Sequence, residues 1–248
     1  MTPPVVLSIA ATDSSGGAGL AADLTTFAAL GVHGACVVTA VTAQDTTAVH
    51  ATLTVATEFV AAQLDAVLSD LRPAVVKTGV LASAATVRLV AERCAGLPIV
   101  VDPVLRASSG AVFASAEVLA AYREHLLPVA AVIVPNAAEY AVLGGDHGRP
   151  VIRTGSECGV DVLHLPGREP HPLAHPPVPT QNDHGTGCTY AAALAAYVAH
   201  GLELRAAAVE AAEFVAEQLR RGAEWHLGSG RGPIPHTTTV TDRRGESA

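Results

Sequence analysis

Short β-branched and apolar runs alternate with helical stretches along this chain. Val5–Ala10 is a continuous apolar run of strand length, a glycine-rich loop follows, and an amphipathic pattern over 20–30 ends at Gly31. Residues 35–42 predict the next strand. Thr57 predicts the N-cap of a helix through Leu71, closed by Pro73. Residues 75–78 read as a strand, Ser83 caps a helix to about Cys94, and 99–101 form another strand. Ser115 caps a helix to about His125, and 131–134 form a strand ending at Pro135. This succession predicts an α/β fold: an open, mostly parallel sheet whose strands are covered by helices on both faces.

The pattern changes at 144–180, which is rich in Pro, Gly and His, with two short strands expected at 151–154 and 161–165. Helical periodicity returns after Gly185, and Leu204, Ala208, Ala211, Val215 and Leu219 fall on one helix face. One domain over 1–248 is expected, with a flexible tail from Gly228.

Composition narrows the function. Half of the 248 residues are hydrophobic, enough for a sizeable core, whereas aromatics are 4% and the formal charge is −8. No basic run or aromatic platform offers itself to a nucleic acid. No apolar run reaches the roughly 18–20 residues of a membrane span, and Met1-Thr2-Pro3-Pro4 lacks a secretory start. Cys36, Cys94, Cys158 and Cys188 are scattered without metal or disulfide spacing, so a reducing cytoplasm is the expected compartment. His164, His171 and His175 make at most a weak metal site and read rather as a solvated loop.

Polar residues and glycines gather where the strands end, which is where such sheets bind ligands. Asn182-Asp183-His184-Gly185-Thr186-Gly187-Cys188 reads as a glycine-rich turn entering a small-residue helix. Free backbone N–H groups and the helix dipole suit an anion there, and the same helix start favours a thiolate at Cys188 over buried packing. Asp13-Ser14-Ser15-Gly16-Gly17-Ala18-Gly19 is either a flexible turn or a ligand loop, and matches neither the Rossmann nor the Walker pattern. Asp23 reads as a surface carboxylate in its helix's first turns, and Gln44 offers an amide to a heterocycle edge. Asn136 and Glu139 lie three apart, as a helix cap or a pair holding a magnesium-bound water.

Taken in order, Ser8–Phe27, Thr39–Thr46, Lys77-Thr78-Gly79-Val80-Leu81, Val101-Asp102-Pro103-Val104, Pro135–Glu139 and His184–Thr189 resemble the hydroxymethylpyrimidine/phosphomethylpyrimidine kinases of thiamine biosynthesis. The resemblance implies a ribokinase-like three-layer α/β/α fold. It also implies ATP- and Mg2+-dependent phosphorylation of 4-amino-5-hydroxymethyl-2-methylpyrimidine and then of its monophosphate. Carried over, Ala11, Asp23, Gln44, Val80 and Cys188 line the pyrimidine pocket, with Gln44 on the ring's amino group or nitrogen. Gly185, Thr186, Gly187 and Cys188 form the anion hole, with Cys188 as the base for the first step and Asp183 as a rival base or metal partner. Asn136, Arg153, Thr154, Gly155 and Gly187 serve the nucleotide, and Glu139 and Asp102 the metal. The expected assembly is a homodimer.

Two family features are altered. Ala107-Ser108-Ser109-Gly110 stands where the family reads Ala-Lys-Ser-Gly, and Val151-Ile152-Arg153-Thr154-Gly155-Ser156 where a strand ends Lys-Gly-Gly-His. Only 144–150 separates that strand from the preceding element, leaving no room for the family's extra helix. A pyridoxal- or pyridoxine-type kinase and a non-catalytic pyrimidine-binding paralogue stand beside the leading reading.

Overall fold

The computed structural model describes residues 2–107, 109–145, 147–155 and 159–236. The chain runs β1 (Val5–Ala10), α1 (Gly19–Ala29), β2 (His33–Val38), β3 (Ala40–Gln44), β4 (Val49–Thr54), α2 (Thr57–Asp70), β5 (Val75–Thr78), α3 (Ala84–Arg93) and β6 (Ile99–Val101). It continues as α4 (Ala116–Ala121), β7 (Val132–Ile133), α5 (Ala137–Leu143), β8 (Val151–Arg153), β9 (Val160–His164), β10 (His171–Ala174), α6 (Thr186–Ala199) and α7 (Leu204–Arg221).

Eight strands form one sheet in the order β10-β9-β8-β7-β6-β5-β1-β2. From β2 to β8 all neighbours are parallel, and β9 and β10 close the far edge antiparallel. Strand period divides the core in two. Leu7, Ile9, Val76, Ile99, Val101, Ile133 and Val151 face α2, α3 and α4. Their neighbours Val6, Val75, Val100, Val132 and Ile152 face the layer of α1, α6 and α7. In α6 every residue from Tyr190 to Ala196 is buried, mostly alanine, so the helix packs closely between α1, α7 and the sheet.

Three expectations change. Residues 35–42 are not one strand: Thr39 and Ala40 are both buried, which breaks the alternation, and the chain turns out of the sheet into a β3–β4 ribbon. Ala56, not Thr57, holds the N-cap position of α2, which no side chain caps; by contrast, Ser83 and Ser115 do cap α3 and α4. Residues 228–236 are packed rather than loose: Ile234 is buried and bonds to His184 O at 3.0 Å, while Ser229 and Gly230 N–H both reach Thr46 Oγ1 at 3.1 Å. The expected tail over 237–248 lies outside the described residues. Between Gly144 and Pro150 the described residues hold no helix, and among the described residues no helix is long and apolar enough to cross a membrane.

Candidate active site

Strand order reverses at β1, whose neighbours are β2 on one side and β5 on the other. Ligands of open α/β sheets bind in the crevice beyond the strand carboxyl ends at such a point. A cavity of about 450 Å³ opens there, lined by Ala11, Gly79, Asp102, Val134 and Thr154 from the strand ends and by Gly185–Cys188 from the start of α6.

The ribbon forms one wall because β1's loop is stitched to it. Thr42 N–H reaches Thr12 Oγ1 at 3.2 Å, Thr42 Oγ1 donates to Thr12 O at 2.9 Å, and Gln44 N–H reaches Ser14 Oγ at 2.8 Å. Ala11, Gln44, Val80 and Cys188 all line the cavity. The β1 loop and the α6 turn touch backbone to backbone. A Cβ on Gly185, at φ +88°, would sit 1.8 Å from Gly17 O, and one on Gly17 would sit 2.5 Å from His184 Cδ2. Glycine is therefore required at both positions.

Gly185 is the N-cap of α6 and no side chain caps the helix; Thr186 N–H is taken by Asp183 O at 3.2 Å, which leaves the Gly187 and Cys188 N–H groups for an anion in the cavity. The expected thiolate does not form there. Burial pushes the Cys188 thiol up to about 12; Lys77 opposes the push, and the Asp102 and Asp23 carboxylates add to it. Desolvation and two nearby anions outweigh the helix dipole. Gly19 N–H bonds to the Cys188 sulfur, and Cys188 bonds to Asp102.

Asp23 is neither a surface group nor part of the cavity wall. It is 0% exposed, accepts from Ser8 Oγ at 2.5 Å, and grips Lys77 Nζ at 2.9 and 3.0 Å. Lys77, also 0% exposed, lies 3.5 Å from Asp102 Oδ2. Burial opposes its charge, but Asp23, Cys188 and Asp102 hold it protonated above its ordinary value. This ammonium under the cavity floor was missed in the sequence. The signal was a lysine inside Val75-Val76-Lys77-Thr78, a strand buried at every position, which requires a buried partner.

On the opposite side Asn136 and Glu139 form a capping box for α5: Asn136 Oδ1 accepts from Glu139 N–H at 2.9 Å and Glu139 Oε2 from Asn136 N–H at 3.0 Å. Burial, then the charge of Asp102, pushes the Glu139 carboxyl up to about 7. Asp102 Oδ2 is buried and makes no hydrogen bond beyond its ion pair. Two hard oxygen donors, one of which raises the other's pKa, fit a divalent cation such as Mg2+. Thr154 lines the cavity; Arg153 and Gly155 do not. Arg153 lies over the Tyr140 ring at 6.0 Å. Asp183 lines the rim, and Arg231 pairs with both its oxygens. Arg106, not singled out in the sequence, is the one lysine or arginine among the described lining residues.

Asp13 and His184 were also unassigned. They pair at 2.8 Å on the cavity wall, joining loops 171 residues apart, a distance no local pattern reveals. His164 stacks on Tyr140 and His175 pairs with Asp161 at 3.4 Å, in a β9–β10 hairpin rather than a loop. No group of three or more His, Cys, Asp or Glu side chains placed to hold a metal is found among the described residues. Ser108, Ser156 and Cys158 lie outside them.

Comparison with known proteins follows the same lines. The family described as phosphomethylpyrimidine kinase matches residues 13–153 and 147–235. A hydroxymethylpyrimidine/phosphomethylpyrimidine kinase of Synechococcus elongatus is 42% identical, covering 95% of this chain and 98% of that protein. The structure of pyridoxal kinase from Staphylococcus aureus in complex with AMP-PCP and pyridoxal superposes with a TM-score of 0.85 at 28% identity, covering 95% of this chain and 94% of that one. Phosphomethylpyrimidine kinase from Clostridium difficile superposes with a TM-score of 0.72 at 29% identity, covering 86% and 99%.

Proposed function

The chain belongs to the phosphomethylpyrimidine kinase family, and from that premise we propose that its cavity takes 4-amino-5-hydroxymethyl-2-methylpyrimidine and ATP together. It is a kinase of thiamine biosynthesis with a ribokinase-like α/β fold. The γ-phosphoryl group passes first to the hydroxymethyl oxygen and then to the resulting monophosphate. One observation supports this most: the start of α6, the Cys188 thiol and the Asp102 and Glu139 carboxyl groups share one cavity of about 450 Å³ at the switch point of the sheet.

Phosphoryl transfer needs positioning and charge neutralisation more than covalent chemistry. In this reading the Gly187 and Cys188 N–H groups at the start of α6 receive the transferring phosphoryl oxygens as charge grows on them. Ala11, Gln44 and Val80 hold the pyrimidine with its hydroxymethyl group toward Cys188. With the thiol near 12, only about one molecule in 10⁵ carries the thiolate at pH 7, but that fraction is a strong base. Proton transfer to sulfur comes late, as the new P–O bond forms. In the second step a phosphate oxygen attacks and needs no base. Glu139 and Asp102 would hold Mg2+, which when bound neutralises phosphate charge. Asn136, Thr154 and Gly187 face the nucleotide. The reading places the enzyme in the cytoplasm, as a homodimer.

The test is direct: purified protein, ATP, Mg2+ and the hydroxymethylpyrimidine, with mass spectrometry for the mono- and pyrophosphate. A folded protein that yields neither product defeats the proposal. The high structural likeness to pyridoxal kinase favours pyridoxal as a second substrate. Competition between pyridoxal and the pyrimidine ranks the two, and the pyrimidine is expected to win.

A further inference from the structure

Gln44 can turn either its oxygen or its NH2 toward a ligand, and the two ends read different substrates. The choice is made behind it, at Asp13. Ser15 N–H at 2.9 Å, Ser15 O–H at 2.7 Å and Ala18 N–H at 2.9 Å all donate to that carboxylate. A carboxyl collecting three donors is an ionised acceptor with no proton of its own to give. His184 Nε2 lies 2.8 Å from Asp13 Oδ2, so this nitrogen carries a hydrogen and donates it. The same Nε2 lies 3.3 Å from the Gln44 amide atom assigned as Nε2, an assignment that shape alone does not fix. Were the nearer amide atom the nitrogen, two donors would face each other. The oxygen is therefore the end beside His184, because amide ends are distinguished by their partners and not by their shape. The main chain holds the residue in place, since Gln44 N–H and Gln44 O both bond to Ser14 Oγ, at 2.8 and 2.7 Å.

We propose that Asp13 and His184 are positioning residues that lock the Gln44 amide with its NH2 toward the cavity, so that Gln44 reads a ring-nitrogen acceptor and not the exocyclic amino group. This inference rests on the pyrimidine-kinase reading and sharpens its substrate class. It admits a 4-aminopyrimidine, whose N3 offers a lone pair beside the amino-bearing carbon. It rejects the 4-oxo analogue, whose lactam form carries N3–H and sets donor against donor.

Isothermal titration with these two pyrimidines tests it. Wild type is expected to bind the 4-amino compound about 100-fold more tightly than the 4-oxo compound. Gln44→Glu keeps size and keeps an oxygen for His184, but presents an acceptor to the ligand. It should lose about 30-fold or more for the 4-amino compound and reverse the preference. Unchanged or tighter binding by this variant would mean that Gln44 accepts from the amino group, and would overturn the proposal. His184→Ala frees the amide to rotate, so the 4-amino to 4-oxo ratio should fall at least tenfold; simple structural damage weakens both ligands alike and leaves the ratio unmoved, which would defeat the positioning role. If wild type binds and phosphorylates neither pyrimidine, the kinase reading itself has failed, an outcome distinct from a wrong preference.

Discussion

Replacing Lys77 with methionine keeps the length of the side chain and removes its charge. Asp23 then keeps only the Ser8 hydroxyl as partner, in a site that is 0% exposed. Asp102 Oδ2, already without a hydrogen bond, loses the ammonium 3.5 Å away. Breaking a buried pair by deleting one member costs about 3–5 kcal/mol. That is a large share of the roughly 5–15 kcal/mol that holds a typical domain folded. At about 2–4 °C per kcal/mol for a chain of this size, the melting temperature should fall by about 6–20 °C. The double variant Lys77→Met/Asp23→Asn removes the orphaned charge and should recover at least half of the loss.

The pH dependence has a definite sign. Burial raises the folded-state pKa of Asp23, and without Lys77 only the Ser8 hydroxyl opposes that push. A folded state that holds its proton more tightly than the unfolded state is favoured at low pH and loses that advantage as pH rises through the raised pKa. The Lys77→Met deficit should therefore be smaller at pH 5 than at pH 8. Urea unfolding followed by circular dichroism measures both. A single variant within 1 kcal/mol of wild type at pH 8, or a deficit equal at the two pH values, would show that no such ion pair is present. The double variant should fold yet turn over slowly, because the floor under Asp102 and Cys188 has lost its positive charge.

With the Cys188 thiol near 12, the single-turnover rate of the first phosphorylation should climb about tenfold per pH unit from 7 to 9 without a plateau. Cys188→Ala should flatten that profile and slow the first step more than the second; equal slowing would remove it as the base. Because Glu139 titrates at about 7, the Mg2+ concentration for half-maximal activity should fall as pH rises from 6 to 8 and the carboxylate forms. Glu139→Gln should need about tenfold more Mg2+ at every pH. Arg106→Ala should raise KM for ATP by about 5–20-fold, with hydroxymethylpyrimidine binding by titration unaltered.

Local chemistry was legible and long-range partnership was not. Ser83 and Ser115 announced their helices because a cap bonds within three residues. Val5–Ala10 read as a buried strand because both its faces are covered. The β3–β4 ribbon escaped because β4 is exposed along nearly its whole length and carries no core-facing period. Asp23 looked like a surface carboxylate because its ammonium stands 54 residues away. Gly-Thr-Gly-Cys announced the turn that enters α6 and lines the cavity, but not the protonation of its thiol, which depends on burial and on Asp102 and Lys77 from other strands. Residues 228–236 have the composition of a loose tail, and composition says nothing of the Thr46 hydroxyl and the His184 carbonyl that receive them.

Those late contacts also order the making of the enzyme. Ser229 reaches back 183 residues to Thr46, and His184 reaches back 171 to Asp13. A chain emerging from the ribosome can pair β1, β2, β5 and β6 while it grows, since these strands are supplied by its first hundred or so residues. The cavity wall has no such early form, because Asp183–Cys188 arrive with the start of α6 and the strip over 228–236 that packs behind it comes later still. Catalytic competence therefore comes late, and a chain stopped before α6 lacks both the anion turn and the helices that cover one face of its sheet.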